Sequence, residues 1–328
     1  MLQKVILCCS VLLCLLAQAQ KNNEPVPIIF DSDMGPDYDD VGAITLLHAL
    51  ADSGRAKILA TIASTKYDGV ACVMNVFNTY FNRPDIPIAV PKGKASILRD
   101  PQHWTDTLIA NYSHNIKKNE DVPDAGELYR KILSTQPNQS VTIVTVGFLT
   151  NLSNLLLSKA DQYSSLDGKE LVKQKVRQLV CMAGRFPSGS EFNVNQDAVA
   201  SQNVFSNWPT NILFSGFEIG WKIRVGLPLI HNNAIHNSPV KDVFRISIPM
   251  APEDSAGRMS WDETAVLVAI KGYEPFYHLE YGSMIVAADG SNTWRAEGKQ
   301  HAHLVEAVSP EIVRAYINKA IMHLPVKK

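Results

Sequence analysis

Cysteine is scarce where a disulfide framework would need it. Of five cysteines in 328 residues, Cys8, Cys9 and Cys14 crowd the N-terminus, leaving Cys72 and Cys181 for the rest of the chain. Both lie in apolar segments, which reads as two core thiols and excludes a cysteine-stapled fold. An excess of charge of one sign is missing too: 31 Lys and Arg face 32 Asp and Glu, a formal net of −1. That balance excludes the basic footprint of a nucleic-acid partner and the polybasic patch of an anionic membrane surface. There is no internal repeat and no low-complexity linker.

The one conspicuous apolar run is N-terminal. Lys4 gives a short positive start, residues 5–16 an apolar stretch, and Ala17-Gln18-Ala19 a small-x-small cleavage site. The stretch is shorter than the ~20 residues a bilayer span requires, and Cys14 follows two leucines where a lipoprotein site wants small residues. Residues 1–19 are therefore expected to be a signal peptide, and the protein to be exported to the periplasm or the medium with no membrane anchor. Cleavage removes one Lys and no acid, leaving 30 basic against 32 acidic residues, a net of −2. Residues 20–328 fit one large α/β domain.

Apolar runs at 26–30, 57–63, 87–90, 141–146, 178–183 and 211–215 read as strands. Helical patterns at 40–50, 70–81, 125–133, 152–157 and 197–205 separate them. This alternation predicts an open, doubly wound, mostly parallel sheet. A further helix is expected at 262–270, a hairpin at 281–295 turning at Asp289-Gly290, and a last helix from Ser309-Pro310 to about 323. The hairpin and last helix read as an appendage on the core.

What is abundant is acid in one place. Asp31, Asp33, Asp37, Asp39 and Asp40 fall within ten residues, directly after the first apolar strand and around the turn Gly35-Pro36. They stand at a C-terminal strand end, where open α/β sheets place ligands. Carboxylates crowded there raise one another's pKa unless a cation neutralises them. Oxygen ligands without nearby His or Cys favour a hard ion, Ca2+ or Mg2+. Helix capping by Asp39 or Asp40 is the plainer alternative, but it leaves the abrupt start of the acids unexplained. An EF-hand loop does not fit, since the glycine comes one place early and Gly42 stands where its last Glu belongs.

Three later segments share that setting. Thr145 to Asn151 is a strand end running into a helix; Met182-Ala183-Gly184 ends another strand, with Glu191-Phe192-Asn193 beyond it; Trp261-Asp262-Glu263 opens the late helix. Singly, each also reads as an ordinary cap or surface group. Together and in this order they resemble the nucleoside hydrolases of the inosine–uridine-preferring superfamily, over residues 27 to about 322.

By that resemblance Asp33 would be both a Ca2+ ligand and the base that activates the attacking water. Asp40, Asp262 and the backbone carbonyl of Val146 would complete the ion's shell. Asp39, Glu191, Asn193 and Asp262 would hold the ribose, in an enzyme that is a homodimer or homotetramer. The chemistry suits cleavage of an N-glycosidic bond, which passes through a ribosyl cation that surrounding carboxylates stabilise. The chain also departs from the family pattern. Asp37 is an extra acid, Thr65 stands where many members carry Asn near the ribose, and Arg185 replaces the Asn that binds the sugar's primary hydroxyl. Trp261 precedes Asp262 where inosine–uridine-preferring members have a His, as in purine-preferring members, whose Trp stacks on the base. Trp104, beside His103, could cover the other face of the base or simply pack on the surface. Two other functions remain: a scaffold that binds a ribosyl ligand without cleaving it, and a haloacid-dehalogenase-like phosphatase, which shares an opening D-x-D. Free base with ribose, inorganic phosphate, or no product separates the three.

Overall fold

The computed structural model describes residues 24–298 and 300–326; the expected signal peptide lies outside the described residues. The strands are β1 (Val26–Ser32), β2 (Ala56–Ala63), β3 (Ile88–Ala89), β4 (Val141–Thr145), β5 (Val176–Met182), β6 (Ser188–Ser190), β7 (Asn211–Ser215), β8 (Arg224–Val225), β9 (Arg258–Met259), β10 (Tyr277–Val286), β11 (Ser291–Arg295) and β12 (His301–Glu306). Ten of them make one sheet in the order β3-β2-β1-β4-β5-β7-β12-β10-β11-β6. Pairing is parallel from β3 to β12 and antiparallel from β12 through β10 and β11 to β6. The expected doubly wound, mostly parallel α/β sheet is therefore present, with a mixed edge.

Both faces of this sheet are covered. Along β1, Ile28 and Phe30 enter one hydrophobic core and Ile29 the other; along β5, Val180 and Met182 oppose Leu179 and Cys181. Apolar residues in both phases of a strand are what a doubly covered sheet requires. Cys72 and Cys181 are buried free thiols. Among the described residues no helix is long and apolar enough to cross a membrane.

The parallel register decides where chemistry can gather. Asp31 of β1 lies opposite Ile62 and Thr145, and Thr145 lies opposite Cys181. The chain segments leaving β1, β2, β4 and β5 thus emerge side by side. The first helix, Asp39–Asp52, packs against the late helix Trp261–Lys271, which also lies on β5. That packing brings the Asp262 end of the chain to the acidic loop.

The hairpin expected at 281–295 is present as β10–β11, but it is not a loose appendage. The chain returns through β12, which inserts between β7 and β10 and makes the hairpin continuous with the main sheet. His301-Ala302-His303 carries no apolar run, so β12 shows no strand signal; it is buried by its neighbours on both sides.

Candidate active site

A cavity of about 320 Å3 opens at the C-terminal ends of β1, β4 and β5. Asp33, Asp37, Asp39, Val146, Arg185, Glu191, Asn193, Trp261 and Asp262 all line it. The structure therefore brings together every expected site residue except Asp40, which lies just behind Asp33, and Thr65. Thr65 is buried, bridges Ser96 through its backbone, and stays outside the lining. Trp104 is fully buried in the core, and His103 is exposed and paired with Asp106, so neither covers the cavity.

The floor is packed acid. Gly147 makes it possible: a Cβ there would run into the backbone of Asp33 and the Ser64 hydroxyl, so only glycine lets the ends of β1, β2 and β4 meet so closely. Burial, and then the neighbouring charge of Asp40, hold the Asp33 carboxyl well above the usual carboxylate range. Asp262 is raised likewise by burial and by Asp40 and Asp33. Asp40 is pushed up to about 7 by burial, although the Ser32 hydroxyl donates to it at 2.5 Å. Behind them Glu263 is pushed up to about 8, again by burial.

Asp39 lines the cavity, yet its oxygens are already engaged. Oδ1 accepts from Arg258 Nε and Nη2 at 3.1 and 2.8 Å; Oδ2 accepts from the backbone N–H groups of Trp261 and Asp262 at 3.1 and 3.3 Å. A carboxylate at the start of the late helix suits the positive end of its dipole. The structure thus gives Asp39 a positioning role, tying the acidic loop to the helix that carries Asp262.

Arg258 is the residue that sequence reasoning passed over. It is buried, pairs with Asp37, Asp39 and Asp254, and lies between the rings of Tyr38 and Trp261, 4.8 and 5.1 Å from their centroids. Asp37, the extra acid of the loop, finds its partner here. Tyr38 completes the clamp by donating its hydroxyl to Asp254 at 2.5 Å. The available signal was the surplus of acid itself, which demands a buried cation somewhere in the chain.

The wall after β5 is held by side-chain to backbone bonds. Glu191 caps the short helix Phe192–Gln196, accepting from the N–H groups of Asn193, Gly184 and Val194 at 2.8, 3.1 and 3.2 Å. Asn193 Nδ2 donates to the carbonyls of Val146 and Met182 at 2.9 and 3.2 Å, joining the ends of β4 and β5. Opposite stands an aromatic row: Phe217 lies 5.2 Å from Trp261 and 5.3 Å from Trp221. Trp261 Nε1 donates to the Phe217 carbonyl at 2.7 Å, which fixes the indole. The helix Phe217–Trp221 that supplies this row is five residues long and too short for its period to show in the sequence.

Among the described residues no three His, Cys, Asp or Glu side chains form a ready-made metal cage. The residues fit a hard cation by their donor chemistry. Among the described residues Asp33 Oδ2 and Asp40 Oδ2 are buried with no hydrogen-bond donor, and the carboxylates of Asp33, Asp40 and Asp262 repel one another, with Val146 in the same lining as Asp33 and Asp262.

A strand-end pocket of buried carboxylates beside an aromatic row thus lies on a doubly wound mixed sheet. The sequence model of the inosine-uridine preferring nucleoside hydrolase family matches residues 28–314, and the chain belongs to that family, whose members are ribonucleoside N-glycosyl hydrolases and generally metal-dependent. The pyrimidine-specific ribonucleoside hydrolase RihA of Photobacterium profundum is 28% identical over 231 residues, 69% of this chain and 68% of that protein. Two solved structures show the same fold. The purine-preferring ribonucleoside hydrolase from Gardnerella vaginalis superposes with a TM-score of 0.69 at 16% identity, covering 90% of this chain and 98% of that one. The inosine-uridine preferring nucleoside hydrolase from Bacillus anthracis gives 0.68 at 13% identity, covering 90% and 99%.

Proposed function

We propose that this chain is an exported, Ca2+-dependent ribonucleoside hydrolase that prefers purine nucleosides and works as a homodimer or homotetramer. Asp33, Asp40, Asp262 and the Val146 carbonyl are the groups that would hold the ion. Bound there, Ca2+ supplies a Lewis acid toward water and an anchor for the ribose diol. Asp33 takes the proton of the attacking water. Asp262 and the acids around it stabilise the positive charge that develops on the sugar. Glu191 and Asn193, locked by their backbone bonds, keep the sugar wall rigid so that the anomeric carbon stays near that water.

The observation that carries the purine preference is the Trp261 ring. It shares one cavity with Asp33 and Asp262 and is pinned to Phe217. An indole stacked on a purine favours the electron-poor, protonated leaving base. Among the described residues no His lines the cavity to protonate a pyrimidine. The likeness to RihA favours a second reading, a pyrimidine preference on the same floor.

A nucleoside panel decides between them. Purified protein with Ca2+ is expected to release reducing sugar from inosine and guanosine faster than from uridine. Trp261→Ala is expected to lower purine turnover about tenfold, the scale of one aromatic stacking interaction. Uridine cleaved as fast as inosine, and unaffected by the substitution, would establish the pyrimidine reading. No sugar release from any nucleoside would leave a non-catalytic ribosyl-binding scaffold.

A further inference from the structure

The cavity lining contains five acids and, among the described residues, a single basic side chain, Arg185. The other arginine nearby, Arg258, is committed to three carboxylates. Arg185 has no ion pair and no hydrogen bond to its guanidinium among the described residues. Glu218, the acid close enough to feel its charge, accepts from the Phe186 N–H at 3.2 Å and has its pKa raised by burial.

Arg185 is nevertheless held in place. Its backbone is gripped at both polar atoms by Asn292 of β11: the Arg185 N–H donates to Oδ1 at 2.9 Å, and Asn292 Nδ2 donates to the Arg185 carbonyl at 2.8 Å. Asn292 is itself buried. The aliphatic stem crosses Gly189, whose φ of +156° and missing Cβ leave room for it; a Cβ there would strike the stem. The guanidinium then lies over the Phe217 ring, 4.2 Å from the centroid. A guanidinium resting on a ring keeps its N–H edge free, and that planar edge matches two oxygens of a phosphate. Ser190 lines the cavity beside it with a further hydroxyl donor.

A ribose in this cavity has three directions to satisfy. On the N-ribosyl hydrolase reading its diol belongs at the carboxylate floor and its base at Trp261, which leaves the loop that carries Arg185 to C5′. We propose that Arg185 binds a phosphate monoester on C5′, and that the site takes nucleoside 5′-monophosphates in preference to free nucleosides. This rests on reading the site as an N-ribosyl hydrolase. The reaction keeps its balance: water's oxygen bonds to C1′ as the C1′–N bond breaks. Water keeps one proton on the new C1′ hydroxyl and gives the other to Asp33, which returns it to solvent. The departing base takes one proton from solvent, so the net transfer is a single proton from water to base, and the phosphate ester is untouched. The products are free base and ribose 5-phosphate.

Binding tests this without turnover. Calorimetric titration of the Ca2+-loaded protein is expected to show ribose 5-phosphate binding at least about tenfold tighter than ribose, the scale of one charge-assisted bidentate pair. Arg185→Ala is expected to abolish that advantage and Arg185→Lys to keep part of it. Equal binding of the two sugars by the wild type overturns the proposal. So does a phosphate advantage that survives in Arg185→Ala, since the ion would then be the phosphate site. Hydrolysis of inosine and of inosine 5′-monophosphate is scored separately. If neither is cleaved, the hydrolase reading fails, while the two sugars still decide the role of Arg185.

Discussion

Asp33 and Arg185 line the same cavity on opposite terms. Asp33 is buried at a strand end, beside carboxylates that repel it, and its free oxygen has no donor. Arg185 is solvent-exposed on a loop, anchored by Asn292, with no ion pair among the described residues. The floor is therefore a region under electrostatic load that the fold contains by packing. The rim is a region without load that the fold merely positions. Floors of this kind respond to protons and cations; rims respond to the shape and charge of a ligand.

The sharpest way to break that distinction is to remove the cation that relieves the floor. Arg258→Met keeps the bulk but removes the cation shared by half-buried Asp37 and buried Asp39 and Asp254, leaving Asp39 only its two backbone N–H donors and Asp254 the Tyr38 hydroxyl and a more distant Arg224. A loss of about 3–5 kcal/mol is expected, as when one member of a buried ion pair is deleted. Denaturant unfolding measures it. A loss under about 1 kcal/mol would show that solvent or the remaining residues already neutralise the floor.

Asp33→Asn separates load from chemistry. It keeps an oxygen but cannot take a proton, so the hydrolytic rate is expected to fall about a hundredfold or more. Because it also removes one repelling charge, the metal-free variant is expected to melt no lower than the wild type. A variant within a fewfold of wild-type activity would pass the base role to Asp37.

The smallest effect is in pH. Burial puts Asp31 and Asp40 at about 7 and Glu263 at about 8, whereas an unfolded chain loses these protons near pH 4. Between those limits the folded protein binds more protons than the unfolded one. The contribution of these groups is thus fullest below the ordinary carboxylate pKa and is lost as pH rises toward 8. In EDTA the melting temperature is expected to drop by at least a few degrees between pH 5 and pH 8. Ca2+ should raise it more at pH 8 than at pH 5, because a ligand of the native floor must displace fewer protons there. A flat profile with no Ca2+ response would mean that the floor is neutralised wholly from within.

The same division explains what could be read from the sequence. The floor was legible because its causes are local. An apolar strand stops, acids begin, and a helix starts; after β4 a strand again gives way directly to a helix, and Trp261 opens a helix with acids in its first turn. The strands β1, β2, β4, β5 and β7 announce themselves as apolar runs, as do the helices that follow β1, β2 and β4 by their pattern. The rim depends on partners far apart in the chain. Phe217 sits on a five-residue helix, Asn292 reaches Arg185 across 107 positions, and β12 takes its burial from two neighbouring strands. Arg258 belongs to the floor but was equally hidden, because nothing around it in the sequence marks it as a partner of the first acidic loop. Trp104 misled in the opposite way: an aromatic in a polar stretch looked available for stacking, and it is core.

The bond between Arg258 and Asp39 closes a gap of 219 residues. On the ribosome, the acidic loop emerges long before the arginine that quiets it and the helix it caps. A nascent chain carries that loop through most of its synthesis before its partner exists, so this pair cannot form early. Contacts of such long range are the slow ones to form. The carboxylate cluster thus depends on a contact that exists only once residue 258 has been made, and a chain that ends before it lacks the cation that pairs with Asp39.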